Sequence, residues 1–163
     1  MRQERFQAET LVSLFREKTL ATMDQMKRAL GTSVDMTVFR KLRGLDYLAS
    51  YSHRGRFYTL RELAEFDDRG LWTHRGVHFS RFGSLIDTAE RFVVRSERGF
   101  LASELARELD VDVKEPLLNL VRAKRLFREE LSGLYLYCAP DPVRQRQQLL
   151  ARRLPVAVEP FGM

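Results

Sequence analysis

"LATMDQMKRALGTSVDMTVFRKLRGLDYLASYSHRGRFY", residues 20–58, changes its apolar rhythm part-way along. It opens with a short amphipathic run, "MDQMKRAL", and then passes a brief turn, "GTS". A second run over Ser33–Gly44 keeps Val34, Val38, Leu42 and Leu45 at helical spacing, with Ser33 placed to act as N-cap. The rhythm then shortens to alternation. "YLASYS" and "RFYTL" flank "HRG", the pattern of two strands around a glycine turn. A longer amphipathic segment, "AETLVSLFREK", precedes the whole stretch.

The chain then repeats the pattern. In "FLASELARELDVDVKEPLLNLVRAKRLFREELSGLYLY", residues 100–137, Ala102, Leu105 and Leu109 stand where Met23, Met26 and Leu30 stood, an offset of 79 residues. Beyond the "GTS"/"DVD" turn, Phe39, Leu42 and Leu48 match Leu117, Leu120 and Leu126, an offset of 78. Gly55 then matches Gly133, and Phe57 matches Tyr135. The second copy has a helix over Val113–Lys124, with Asp112 as cap and Pro116 in the first turn. Its hairpin reads "LFREEL", "SG", "LYLYCA", and "SLIDTAERFVVRS" is its preceding helix. Identity between the copies is low, so the repeat is one of pattern.

Helix, helix, turn, helix and two-stranded hairpin, met twice, resembles the winged helix-turn-helix fold in tandem. The resemblance covers roughly residues 6–60 and 84–138 and rests on element order and apolar spacing. It implies a fold that is mainly α with small β-hairpins (α+β). It also implies DNA binding, with the second helix of the motif in the major groove and the hairpin wing along the backbone or minor groove. The expected organisation is unit 1 over residues 1–62, a connecting segment over 63–83, unit 2 over 84–140, and a C-terminal helix and tail over 141–163.

Composition agrees with a folded chain and narrows its class. The 163 residues are 44% hydrophobic and 31% charged, so neither wholesale disorder nor a membrane protein is indicated. No apolar run approaches the roughly 18 residues that a spanning helix needs. The first fifteen residues lack the apolar core of a signal peptide, and a single cysteine, Cys138, precludes an intramolecular disulfide. A cytoplasmic location is the expectation.

Net charge is +6 and the pI about 9.8, and the excess is local. Residues 1–60 carry 11 Lys/Arg against 6 Asp/Glu, whereas residues 95–138 carry 8 of each. Phosphate attraction needs such an excess where the duplex docks. In unit 1 the candidate DNA contacts are therefore Ser33, Thr37, Arg40, Lys41 and Arg43 from the second helix, and His53, Arg54 and Arg56 from the wing. Arg pairs with guanine edges, while Lys and Thr reach phosphate or base. Arg75, Lys114, Asn119 and Arg122 are secondary candidates. The same residues also fit a solvated helix face and a polar hairpin tip. Unit 2 is less suited to DNA, because Glu115, Glu129 and Glu130 lie near its basic helix and "LSGL" has no basic residue.

Between the copies, "LWTH", "RG", "VHFS" reads as a further hairpin, with Trp72, Phe79 and Phe82 as packing residues. His74 and His78 lack a third ligand nearby in sequence, so no metal is expected. "DPVRQRQQLLARRLP" reads as a closing helix, capped by Asp141, started by Pro142 and stopped by Pro155. Its stripe of Val143, Leu149, Leu150 and Leu154 suits packing on unit 2 or pairing with a second subunit, and the tail after it is expected to be loose. No phosphate loop, Cys-His metal spacing or nucleophile elbow is present, so no enzyme activity and no cofactor is expected. Double-stranded DNA is the expected partner, with a homodimer through unit 2 or the closing helix. The use would be transcriptional regulation, or an accessory role in a DNA-handling or mobile-element system. The alternative is a protein-interaction module, a use winged helices also serve in chromosome-organising complexes.

Overall fold

The computed structural model describes the backbone of residues 2–154 and the side chains of residues 8–154. The chain forms two compact units, Met1–Ser84 and Leu85–Met163. It is a mixed α+β structure of helices and small antiparallel sheets.

In the first unit, α1 (Arg2–Lys18) packs on α2 (Met23–Leu30) and α3 (Asp35–Leu42). Its Leu11 and Phe15, one turn apart, are fully buried with Met26, Val38, Leu42 and Leu60. A capping box opens α2: the Thr22 hydroxyl accepts from the Gln25 N–H at 3.2 Å, and the Gln25 carboxamide accepts from the Thr22 N–H at 2.8 Å. Gly31, at φ 72°, closes it in the left-handed region. Strands β1 (Ala21–Thr22), β2 (Tyr47–Ala49) and β3 (Phe57–Leu60) form a sheet in the order β1-β3-β2.

Segment 63–83, read as a connector, folds within this unit. Strands β4 (Leu71–His74) and β5 (Val77–Ser80) pair around Arg75-Gly76. Val77 and Phe79 bury against Leu48, with Phe57 and Trp72 packed around them.

The second unit repeats the order. It comprises α4 (Leu85–Arg95), β6 (Phe100–Leu101), α5 (Ala102–Leu109), α6 (Lys114–Arg122), β7 (Phe127–Leu131) and β8 (Leu134–Cys138), with sheet order β6-β8-β7. Asp110, at φ 60°, takes the left-handed place of Gly31. Asp112 does not cap α6 at the N-cap position, which is Val113; its carboxylate instead accepts from the Lys114 N–H. Cys138 is fully buried, and desolvation pushes its thiol up to about 11, so it is an inert packing group.

Strand register revises the alignment of the copies. Ala21 pairs with Tyr58 and Phe100 with Tyr137; Leu48 pairs with Thr59 and Phe127 with Cys138. Both sheets therefore correspond at a constant offset of 79, and no residue is lost after the turn. Lys41 then corresponds to Leu120, and Arg54 to Gly133.

The closing helix, α7 (Pro142–Arg153), is capped by Asp141 as expected, with its carboxylate accepting from the Arg144 N–H. Its packing face is not the apolar stripe. Val143, Leu150 and Leu154 are exposed, whereas Gln148 is fully buried. The Gln148 amide donates to the carbonyls of Val93 (2.8 Å) and Ser96 (2.9 Å) and accepts from the Ala139 N–H (2.8 Å). Arg144 donates to the carbonyls of Val94, Arg95 and Ser96 at the end of α4. The helix thus docks by satisfying the open carbonyls of another helix terminus. Pro155 and the tail 156–163 lie outside the described residues. Among the described residues, no helix is long and apolar enough to cross a membrane.

Candidate nucleic-acid interface

Helix α3 presents a narrower basic face than its sequence suggests. Val38, Lys41 and Leu42 point inward, and Lys41 is only 9% exposed. The expectation that Lys41 faces outward is corrected. It follows Val38 by three positions, one helical turn, and takes the core place that Leu120 fills in the second unit. Ser33 is exposed but does not cap the helix. The N-cap is Val34, whose N–H donates to the Thr32 hydroxyl at 3.2 Å. Arg40 and Arg43 are exposed and Thr37 is half-buried.

Two apolar side chains at the start of this helix are exposed: Val34, which its spacing placed with the inward stripe, and Met36, which the sequence reading did not single out. Val34 is 51% and Met36 57% exposed. Met36 lies one turn before Arg40, so the two share a face. Helical spacing was enough to find Met36, had exposure rather than burial been asked of it. Such residues suit contact with thymine methyl groups. In the first turn of the helix, exposed Asp35 is paired with Lys27 of α2.

The β2–β3 hairpin carries the second group. Beyond the Ala49–Tyr58 pair, the Ser50 N–H donates to the Phe57 carbonyl at 2.8 Å. The Gly55 N–H then closes on the Ser52 carbonyl at 3.1 Å. His53 (φ 54°) and Arg54 (φ 55°) are the central residues of that turn, both left-handed. His53, Arg54 and Arg56 are exposed at the tip. The His53 ring is held at Nδ1 by the Ser52 hydroxyl (2.8 Å) and edge-on by Phe57.

Both units hold paired and unpaired arginines: in the first, Arg61 pairs with Asp46 and Arg69 with Asp67, and in the second, Arg95, Arg107, Arg122 and Arg146 form no ion pair among the described residues. Among the described residues, Arg40, Arg43, Arg54, Arg56 and Arg75 form no ion pair. In the second unit Arg125 binds Asp87 and Glu90, Arg152 binds Glu104, and Arg153 binds Glu129. Arg98 donates to the carbonyls of Ala151 and Arg152, and Arg128 lies over the Tyr135 ring at 3.9 Å. Lys114, Asn119 and Arg122 remain exposed on α6, with Glu115 exposed beside them. The hairpin tip there is Ser132-Gly133, followed by exposed Leu134 and Tyr135. By sequence the first unit has 15 Lys/Arg against 10 Asp/Glu, and the second 13 against 12.

No protein-family model, curated protein or solved structure matches the chain.

Proposed function

We propose that the chain is a tandem winged helix-turn-helix protein that binds double-stranded DNA through its first unit. Helix α3 enters the major groove and the β2–β3 hairpin follows the backbone. The helix, strand, helix, helix, hairpin order with a β1-β3-β2 sheet supports the fold reading in the first unit, and its repeat supports it in the second. The observation that carries the function is the set of unpaired arginines, Arg40, Arg43, Arg54 and Arg56, on two adjoining elements of one unit. Arginines left out of ion pairs keep their charge for phosphates and base edges. Regulation of transcription, or an accessory role in a DNA-handling system, is the use this supports.

The test is selection of bound sequences from a random duplex pool. An enriched motif is the expected result. Retention without enrichment would reduce the reading to sequence-independent binding, and no retention at low salt would overturn it.

A second reading applies to the second unit alone. Exposed Leu134 and Tyr135 on its hairpin, and Val143, Leu150 and Leu154 on α7, favour a protein contact there, including a homodimer. Sedimentation equilibrium tests it: a monomer at high micromolar concentration would remove the homodimer.

A further inference from the structure

The tripeptide His-Arg-Gly occurs twice, at residues 53–55 and at 74–76. Both copies form hairpin tips in the first unit. In the second tip, Arg75 (φ 52°) and Gly76 (φ 78°) are the two loop residues between paired His74 and Val77. Both are exposed.

The two hairpins are joined. The Tyr51 N–H donates to the His78 carbonyl at 2.9 Å, and the His78 N–H donates to the Ser52 hydroxyl at 2.9 Å. The same hydroxyl holds His53. The Tyr51 and His78 rings stack at 5.6 Å. Below them Val77 and Phe79 of one hairpin share a buried cluster with Leu48 and Phe57 of the other. Arg54 is two residues from this junction and Arg75 three. At full chain extension their Cα atoms lie within about 25 Å of each other. One turn of B-DNA is longer, about 34 Å.

Turn chemistry does not explain the arginines. A two-residue hairpin loop with both φ positive favours Asn, Asp and Gly. Ser132-Gly133 and Arg75-Gly76 follow that preference in their second position, and His53-Arg54 in neither. Arg54 and Arg75, like Ser132, hold left-handed backbone, which costs a residue with a Cβ roughly 1–2 kcal/mol, and arginine is not among the residues that the turn favours there. A cost retained at an exposed, unpaired cation points to the cation's use.

We propose that β4–β5 is a second basic wing, whose Arg75 contacts a phosphate of the same duplex that Arg54 contacts. This rests on the DNA-binding reading above and extends its surface. The full chain is titrated onto a duplex from the random pool at several salt concentrations. Four variants are compared: Arg75→Asn, Arg54→Asn, Arg75→Lys and Arg146→Asn. Asn accepts left-handed backbone, so the turns survive. Arg146 is an exposed residue of α7, and its loss changes net charge equally.

Arg75→Asn is expected to weaken binding about three- to tenfold and to lower the log-log salt slope by about one, as one lost phosphate contact does. Arg75→Lys should restore most of the slope, which a merely misfolded hairpin would not allow. Arg146→Asn should leave the slope unchanged. Hydroxyl-radical protections lost in Arg75→Asn should differ from those lost in Arg54→Asn, and both should lie within one helical turn. If Arg75→Asn behaves like Arg146→Asn while Arg54→Asn loses affinity, the second wing is overturned and the DNA-binding reading stands. If the unaltered chain retains no duplex at low salt, both fall.

Discussion

Hairpins β2–β3 and β7–β8 share one register. Beyond the equivalent pairs Ala49–Tyr58 and Arg128–Tyr137, each extends through eight residues, 50–57 and 129–136. Their chemistry diverges within that shared length. The first puts His53 and Arg54 where the second has Ser132 and Gly133. The first is also braced by β4–β5 at Ser52, whereas the second exposes Leu134 and Tyr135. The comparison teaches that one backbone plan serves two surfaces, and that the difference lies in the side chains at the tip, cationic in the first hairpin and small or apolar in the second.

Removing unpaired arginines of the first unit should break this comparison most sharply. Arg40→Ala with Arg54→Asn is expected to weaken duplex binding on the order of a hundredfold, since base and phosphate contacts are lost together. Lys114→Ala with Arg122→Ala should cost about threefold or less. Fluorescence anisotropy at fixed salt measures both, and equal losses would erase the distinction between the units.

The next largest effect concerns stability in the second unit. Gln148→Leu leaves the carbonyls of Val93 and Ser96 and the Ala139 N–H without their partner, and should cost about 2–4 kcal/mol. Urea unfolding measures it, with duplex affinity of the folded protein unchanged. A loss of affinity without a loss of stability would place α7 in the interface.

Lys41→Met sharpens the register argument. The side chain sits in the place of Leu120, so binding should change by about twofold or less, far below the loss from Arg40→Ala. A loss matching that of Arg40→Ala would return Lys41 to the interface.

The smallest expected effect is a pH dependence confined to the second unit. The Arg152 guanidinium, bonded to Glu104 at 2.6 Å, holds that carboxyl below its ordinary range. Its contribution is therefore complete above the ordinary glutamate value near 4.3 and is lost as pH falls through the depressed one. Arg152→Gln should flatten the stability profile of the second unit across that acid window, followed by chemical unfolding at stepped pH. An unchanged profile would remove the pair from the stability of this unit.

Much of the architecture was legible because it rests on local rhythm. The two amphipathic runs, the turns at Gly31 and Asp110, the "RG" hairpin and the Asp141 cap all follow from spacing within a few residues. The candidate site was legible where exposure follows from the helical wheel, as at Arg40, and illegible where it depends on a partner. Lys41 was misplaced because Val38 and Leu42 alone were taken as the inward pair, whereas a position three after Val38 and one before Leu42 borders the same buried face. Of the two uses open to the closing helix's apolar stripe, packing on unit 2 is not the one seen for Val143, Leu150 and Leu154, because the carbonyls at the end of α4 draw Gln148 and Arg144 inward instead.

By itself the sequence determined the order of elements, the repeat and the concentration of basic charge in the first half, since periodicity and charge need no knowledge of distant residues. Tertiary structure alone decided the common register of the two sheets, the burial of Lys41, the docking of β4–β5 on Ser52 and the polar seat of α7. Each of these depends on hydrogen bonds and packing between residues far apart in the chain. An amphipathic pattern specifies which face seeks cover, but not which partner covers it.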